Sequence, residues 1–216
     1  MEIPFSIEAF FKVFETYNLA IQPAQILAYL LGVIAIIYAI SDGAQSGKIV
    51  FTILAIFWGW VGAIYHIVYF SEINPAAYIF GAFFILQAIV LLYVGFRSEN
   101  RSFQFEADGA SIVGAIFIVY AMLVYPILNY IFGHTYPTMP VFGVTPCPVT
   151  IFTFGVLLWS KTRLPHYVIA IPFLWSLVGV SAALNFKIVE DYGLVVAGVV
   201  GALLLMTKKY VKLQRA

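Results

Sequence analysis

The chain has few charged residues. Aspartate, glutamate, lysine and arginine together make up 10% of its 216 residues, whereas 63% are hydrophobic, and the mean hydropathy is +0.99. Soluble domains usually carry about 25% charged residues, so this composition excludes a soluble globular protein. It predicts instead an integral membrane protein that crosses the lipid bilayer several times. The net charge of +1 gives no basis for binding nucleic acid.

Cysteine is almost absent, since the chain has only Cys147. A single cysteine excludes an intramolecular disulfide and a cysteine-rich metal cluster. There is no CxxCH motif for covalent haem, although non-covalent haem held by His66 and His134 stays compatible with the sequence. The last apolar run, residues 193–206, contains no lysine that could form a Schiff base with retinal, which excludes a retinal protein. A ligand-sensing receptor stays open.

Seven apolar runs are long enough to cross a membrane, since a span needs roughly 20 mostly apolar residues. They predict an all-α bundle of seven transmembrane helices at residues 23–41, 49–71, 76–96, 109–132, 141–160, 165–186 and 192–207. The connections are short and polar. The whole chain, residues 1–216, is therefore expected to form a single integral membrane domain.

The basic residues predict the orientation. With seven spans, the N-terminal face of the membrane carries Lys12 and Lys187. The other face carries Lys48, Arg97, Arg101, Lys161, Arg163, Lys208, Lys209, Lys212 and Arg215. Basic residues accumulate on the cytoplasmic side. The pattern therefore predicts an outside N-terminus and a cytoplasmic C-terminus.

The first twenty residues lack the features of a signal peptide, because they have neither a basic start nor a small-residue cleavage site. Apolar side chains recur instead at helical spacing, at Ile7, Phe10, Phe11, Phe14 and Tyr17. Ser6 is suited to cap the start of such a helix. We expect an amphipathic helix lying on the outer membrane surface. The alternative is a lid over an outward-facing cavity.

The spans have no Asp, Glu, Lys or Arg away from their ends, which argues against a carboxylate-driven ion pump. Near the middle of the membrane the polar side chains are Gln87, Thr153, Trp58 and Trp175. The remaining unusual polar residues cluster toward the outer face. They are His66, Glu72, Asn74, Asn129, His134, Tyr136, Cys147, Asn185, Glu190 and Asp191. From these two groups we select as candidate ligand-binding residues His66, Trp58, Glu72, His134, Tyr136 and Cys147.

His66 follows Gly59, Gly62 and Ala63 on one helix face. Small residues at this spacing let another helix approach closely, so His66 is expected to point into the bundle. Two interpretations stay open. The imidazole is either a buried structural group bonded to a carbonyl, or a ligand or acid–base group.

Cys147 stands between Pro146 and Pro148. Each proline disfavours helical geometry in the residue before it, so Thr145 and Cys147 are expected to be extended, with a helix beginning near Pro148. That helix is too short to cross the bilayer. Either the segment is a re-entrant plug, or Cys147, His134 and His66 converge on an outward-facing site for a thiol-reactive ligand or for a soft metal such as Cu or Zn. The TPC triplet resembles proline–cysteine metal motifs in heavy-metal P-type ATPases, although no nucleotide domain accompanies it.

Two stretches, FWGWVGAIYH and GHTYPTMPVFGVTPCPVTIFTFG, resemble a family of bacterial multi-spanning membrane proteins of unknown function. The resemblance covers essentially the whole chain and implies location in the bacterial inner (plasma) membrane. It implies no activity and no cofactor. The motif positions are Trp58, Gly59, Trp60, Gly62, His66, His134, Tyr136, Pro137, Gly143, Pro146, Cys147 and Pro148.

Two functions fit these observations. The first is a carrier or binding protein for a small ligand or soft metal, with an outward-facing site. The alternative is a membrane-embedded enzyme with a histidine as base and Cys147 as nucleophile. In that case Glu72, Glu190 or Asp191 would orient the imidazole. The lipid bilayer is the one partner that the sequence predicts, and the oligomeric state stays open.

Overall fold

The computed structural model describes residues 5–41, 43, 45–97, 102–186 and 188–208, without the side chains of 181, 182, 185 and 186. Over these residues the chain is all-α. Its helices are α1 (Ile7–Ala20), α2 (Ala24–Ile40), α3 (Ser46–Trp60), α4 (Ala77–Arg97), α5 (Gly109–Val119), α6 (Tyr125–Ile131), α7 (Pro146–Leu157), α8 (Tyr167–Phe186) and α9 (Tyr192–Thr207). Two π-helical segments, Val61–Tyr69 and Tyr120–Val124, continue α3 and lead into α6.

Four helical stretches are long and apolar enough to cross a membrane. They are Ser46–Glu72, Ala77–Arg97, Gly109–Ile131 and Val189–Thr207. A fifth is possible if α1 and α2, which meet at an angle of 85°, are counted as one broken span. The helix α7 and the stretch Tyr167–Val180 of α8, in which every side chain is described, are apolar but shorter. The prediction of an all-α membrane protein is thus supported, with four or five candidate spans.

The short helix α7 lies at the centre of the bundle, packed against α3, α5, α8 and α9. Every residue from 140 to 160 is buried except Cys147. At 12 residues, α7 is about 18 Å long and cannot cross a hydrocarbon core of about 30 Å. This central position fits the interpretation of a re-entrant plug.

The start of α7 differs from the prediction. Thr145 is extended (φ −126°, ψ 153°), as expected, but the helix begins at Pro146 and Cys147 lies in its first turn. The expectation that Cys147 is extended was therefore wrong. The reason is that the first four N–H groups of a helix have no intrahelical partner, so prolines are tolerated in its first turn.

Close approaches of backbone hold the bundle together. A Cβ atom on Gly62 would lie 2.8 Å from the carbonyl oxygen of Gly81 in α4. A Cβ on Gly114 of α5 would lie 2.6 Å from the carbonyl oxygen of Gly155 in α7. Only glycine fits at such distances. The tight helix contact predicted beside His66 is therefore confirmed, with α4 as the neighbour.

One end of the bundle is covered by α1, and we call it the α1 end. Ser6 caps this helix by accepting a hydrogen bond from the N–H of Ala9 at 3.2 Å, which confirms the predicted helix and cap. Tyr17 is fully buried and donates to the carbonyl of Val144 at 2.6 Å. Trp60 donates in turn to the Tyr17 hydroxyl at 2.8 Å. These bonds fix α1 against the segment that precedes α7.

The predicted orientation depends on basic residues. Those that the structure describes, apart from Lys12, lie toward the end of the bundle opposite the α1 end. There Lys208 donates to the carbonyls of Leu158 and Ser160, at 2.8 and 3.2 Å. Some residues used in the predictions fall outside the described part of the chain. These are residues 1–4 of the predicted N-terminal helix, Arg101, Lys187, Lys209, Lys212, Arg215 and the side chain of Asn185.

Candidate functional site

Two carboxyl side chains are buried where α9 begins. Glu190 is 0% exposed and Asp191 is 3% exposed. Both belong to a 3₁₀ turn, Val189–Asp191, that packs against α6, α8 and α9. The predicted spans had left both residues in the polar connection between residues 186 and 192. Since burying a carboxylate is costly unless it is paired and hydrogen-bonded, their partners define the candidate site.

Asp191 is bound by residues from two other elements. The hydroxyl of Tyr125, the first residue of α6, donates to Asp191 Oδ1 at 2.6 Å. The Cys147 thiol lies beside the Asp191 carboxyl, the Tyr125 hydroxyl and the Trp175 indole. The lone cysteine is therefore part of a buried acidic cluster.

Glu190 is paired with His134, whose Nδ1 lies 3.2 Å from Glu190 Oε1. The second oxygen, Oε2, is buried and has no hydrogen-bond partner among the described residues. His134 is 22% exposed at its side chain. Its ring packs on Phe11 of α1 with a centroid separation of 4.4 Å. Helix α1 therefore packs on His134, the histidine that pairs with Glu190.

Asn129 adds a second unpaired oxygen. It lies one turn after Tyr125 on α6, and its amide donates to the Tyr125 carbonyl at 3.0 Å. Its Oδ1 is buried without a partner in the described structure. Helix α6 packs directly on the 3₁₀ turn that carries Glu190. Two elements in contact thus each present an oxygen that can still accept a hydrogen bond or bind a cation.

Cys147 is the one residue of its segment that is not fully buried. It is only partly buried, although its chain neighbours on both sides are buried. The side chains around its thiol are buried too, with Tyr125 1% and Asp191 3% exposed. The groups around the thiol are therefore interior, although Cys147 itself keeps part of its accessible surface.

His66 lies in a cage of aromatic rings. It is 0% exposed, and neither ring nitrogen has a hydrogen-bond partner within the described residues. The ring centroids nearest to it are those of Phe84 at 4.8 Å, Tyr65 at 5.1 Å and Trp175 at 5.1 Å. Phe80 and Phe70 follow at 5.9 and 6.0 Å. Trp175 also lies near the Cys147 thiol, and its own buried indole nitrogen has no hydrogen-bond partner within the described residues.

Both π-helical segments lie next to this region. Val61–Tyr69 carries Tyr65 and His66, and Tyr120–Val124 ends directly before Tyr125. π-helical turns are rare and are frequent at functional sites. Sequence reasoning missed Tyr125 and Tyr65. A usable signal was Pro126, which lacks an N–H and so predicts a break in the regular helical bonding of this span.

A family model described as "Family of unknown function (DUF6064)" matches residues 7–215. The chain belongs to this DUF6064 family. The match confirms the predicted membership in a family of unknown function over essentially the whole chain, and the family brings no activity with it. No curated protein and no solved structure matches the chain.

Three predicted ligand-binding residues of this DUF6064 chain lie outside the buried cluster. Trp58 is a core residue, with its indole N–H bonded to Thr153 Oγ1 at 2.9 Å. Glu72 is exposed. The Tyr136 hydroxyl bonds to the Asn18 carbonyl at 3.3 Å and to the Gln22 amide, which ties it to α1 and the residues after it.

The other three predicted residues, His66, His134 and Cys147, approach the acidic cluster from different sides. His134 binds Glu190, Cys147 faces Asp191, and His66 lies beyond Trp175. Among the described residues, no three His, Cys, Asp or Glu side chains form a group that could hold a metal ion. The Cu or Zn site therefore stays a prediction without a defined ligand set.

Proposed function

We propose that this chain is a membrane-embedded binding protein or carrier for a small cation, either organic or a soft metal ion. The site is the cluster of Glu190, Asp191, Tyr125, Cys147 and His134. The observation that carries the proposal is the pair of buried carboxyls with an unpaired oxygen on Glu190. The single imidazole of the cluster can carry at most one positive charge, whereas the two carboxyl groups can carry two negative charges. The uncompensated negative charge would favour a bound cation.

The proposed arrangement in the membrane has seven embedded segments in a single domain, with α7 as the plug. The N-terminus is outside and the C-terminus is in the cytoplasm of a bacterial cell. The support is the distribution of basic residues, since Lys48, Arg97, Lys161 and Arg163 belong to the end opposite α1. In this orientation the acidic cluster opens outward beneath α1.

Binding to the purified chain in lipid nanodiscs tests the proposal. Elemental analysis detects a co-purified metal, and calorimetry with Zn²⁺, Cu⁺ and methylammonium measures affinity. Glu190→Gln keeps the shape of the side chain and removes its charge, so we expect at least tenfold weaker binding. Glu15→Gln is the matched control, because Glu15 lies on α1 and pairs with Lys12 at 2.9 Å. Unchanged affinity in Glu190→Gln would refute the assignment.

Uptake into proteoliposomes separates a carrier from a static binding protein. A carrier moves the bound cation across the bilayer, and Glu190→Gln slows that movement. Binding without uptake would restrict the function to binding.

The enzyme alternative has less support in this geometry. A cysteine nucleophile is activated by an adjacent base, most often a histidine. The groups around the Cys147 thiol are Asp191, Tyr125 and Trp175, and a neighbouring carboxylate opposes formation of a thiolate. A cation-binding role uses the same residues without requiring an activated thiol.

A further inference from the structure

A groove runs between the first turns of α8 and the last turns of α9, at the end of the bundle opposite the α1 end. Its volume is about 420 Å³, which lies within the range of roughly 300–1,000 Å³ that is usual for ligand pockets. Ile169 and Ala202, each 7% exposed, form its floor. Leu203 and Met206, 58% and 54% exposed, form its rim. The side chains that line it are apolar except that of His166, which precedes α8.

In a bilayer, this groove would reach from the membrane surface into the hydrocarbon region. It extends along α8 from His166 to Phe173, a distance of about 10 Å at the helical rise. Tyr167, the first residue of α8, is 48% exposed, and tyrosine is enriched at the boundary between headgroups and hydrocarbon. With Tyr167 at that boundary, His166 lies at the level of the headgroups and the apolar part of the groove lies at the level of the acyl chains.

The chain at the headgroup level of α8 is basic. The segment that leads into α8 reads KTRLPH, and no acidic residue occurs in it or in α8 itself. Arg163 and His166 of this segment are exposed. Glu106 and Asp108 also belong to this end of the bundle, where they lie near Lys208, and they precede α5 rather than α8. The groove therefore joins an apolar channel to a positively charged mouth.

We infer that the groove binds an acyl chain of a phospholipid whose headgroup carries a net negative charge and meets Arg163 and His166. Basic pockets between transmembrane helices on the cytoplasmic side bind acidic lipid headgroups. Arginine is suited to this contact because its guanidinium can donate two parallel hydrogen bonds to phosphate oxygens. The inference does not rest on the proposed cation site, which lies where α9 begins, whereas the groove lies where α9 ends.

Other occupants of the groove fit the charge less well. A lipid without net charge would fill the apolar channel and gain little from the basic segment. A second copy of this chain, bound in a symmetric contact, would place the same surface of both copies together. The two KTRLPH segments would then face each other, and the juxtaposition of like charges opposes association.

The test measures lipid binding to the full chain, purified in detergent, by native mass spectrometry. The probes are dioleoyl phosphatidylglycerol, which is anionic, and dioleoyl phosphatidylcholine, which has the same acyl chains and no net charge. Ala170→Trp fills the groove, since Ala170 is an exposed lining residue, and Ala82→Trp places the same ring on an exposed position of α4. Arg163→Gln removes a charge at the mouth, with Arg97→Gln at the exposed end of α4 as its control. Circular dichroism checks that each variant folds.

We expect the wild type to bind phosphatidylglycerol at least tenfold more tightly than phosphatidylcholine. Arg163→Gln should weaken phosphatidylglycerol binding about fivefold, which is the usual effect of one basic residue near an anionic membrane surface. Ala170→Trp should weaken it at least tenfold, and both control variants should bind as the wild type does. If Ala170→Trp does not fold, the comparison of Arg163→Gln with Arg97→Gln decides.

Three results would overturn the inference. They are equal affinity of the wild type for the two lipids, unchanged phosphatidylglycerol binding by folded Ala170→Trp or Arg163→Gln, and a dimer that Ala170→Trp dissociates while lipid binding stays the same. Glu190→Gln should keep wild-type phosphatidylglycerol binding. The cation site and the lipid site can therefore fail independently of each other.

Discussion

The close contact between Gly62 and α4 leads to a quantitative prediction for Gly62→Ala. The new Cβ would lie 2.8 Å from the Gly81 carbonyl oxygen, 2.9 Å from Phe84 Cβ and 3.0 Å from Ile85 Cγ1. Two of these three atoms are on the backbone or next to it and cannot rotate away. The two helices must therefore separate by several tenths of an ångström. Overpacking of this kind costs about 1–3 kcal/mol, so we expect Gly62→Ala to destabilise the fold by roughly 2 kcal/mol.

Gly59→Ala is the matched control on the same helix. Its Cβ would meet only Ala88 Cβ at 3.6 Å, an ordinary contact. Alanine is favoured over glycine in a helix by up to about 1 kcal/mol, so this variant should be neutral or more stable. Unfolding of both variants in detergent, followed by circular dichroism, gives the comparison. Equal stability of Gly62→Ala and Gly59→Ala would refute the packing argument.

Three further predictions concern single residues. Tyr125→Phe leaves a buried carboxyl without its 2.6 Å donor and should cost about 1.5–3 kcal/mol, whereas Tyr130→Phe, 72% exposed, should be neutral in the same unfolding assay. Asp108 caps α5, and a hydrogen bond from a backbone N–H lowers the pKa of its carboxyl. The stability from this cap is therefore present above the unfolded pKa of about 4 and is lost as the pH falls through the lower folded pKa. Asp108→Ala should lower the free energy of unfolding by about 1 kcal/mol at neutral pH and remove that pH dependence. Unfolding curves recorded over a series of pH values test this, and an unchanged pH dependence in Asp108→Ala would contradict it. Finally, Cys147 should react with maleimide at least tenfold more slowly than a cysteine introduced by Thr135→Cys at an exposed position, and equal rates would contradict its interior location.

The helical architecture could be predicted because hydrophobic length is read directly from the sequence. Four predicted spans correspond to helices that are long enough to cross the membrane. The cap at Ser6 and the glycine contact at Gly62 also follow local rules. The start of α7 was predicted too late, because Pro148 was expected to keep Cys147 out of helical geometry. The first turn of a helix tolerates proline, and Cys147 lies in that turn.

The site was only partly predictable. His134 and Cys147 were selected as unusual polar residues, and Glu190 and Asp191 were considered only as groups that orient a histidine. Their burial depends on how the turn before α9 packs against α6, which no local pattern in the sequence specifies. Tyr125 looks like an ordinary interface tyrosine until the π-helical segment before it is known. Long-range packing therefore decides which of the polar residues meet.

The burial of α7 on all sides has a consequence for biogenesis. A segment that presents no face to lipid gains little from partitioning alone into the bilayer, and its two termini carry backbone groups that must be satisfied by protein. The contacts that satisfy it come from helices made both before it, such as α5, and after it, such as α9. Completion of α7's packing must therefore wait until the last helix has been synthesised. The order of assembly consequently differs from the order of translation.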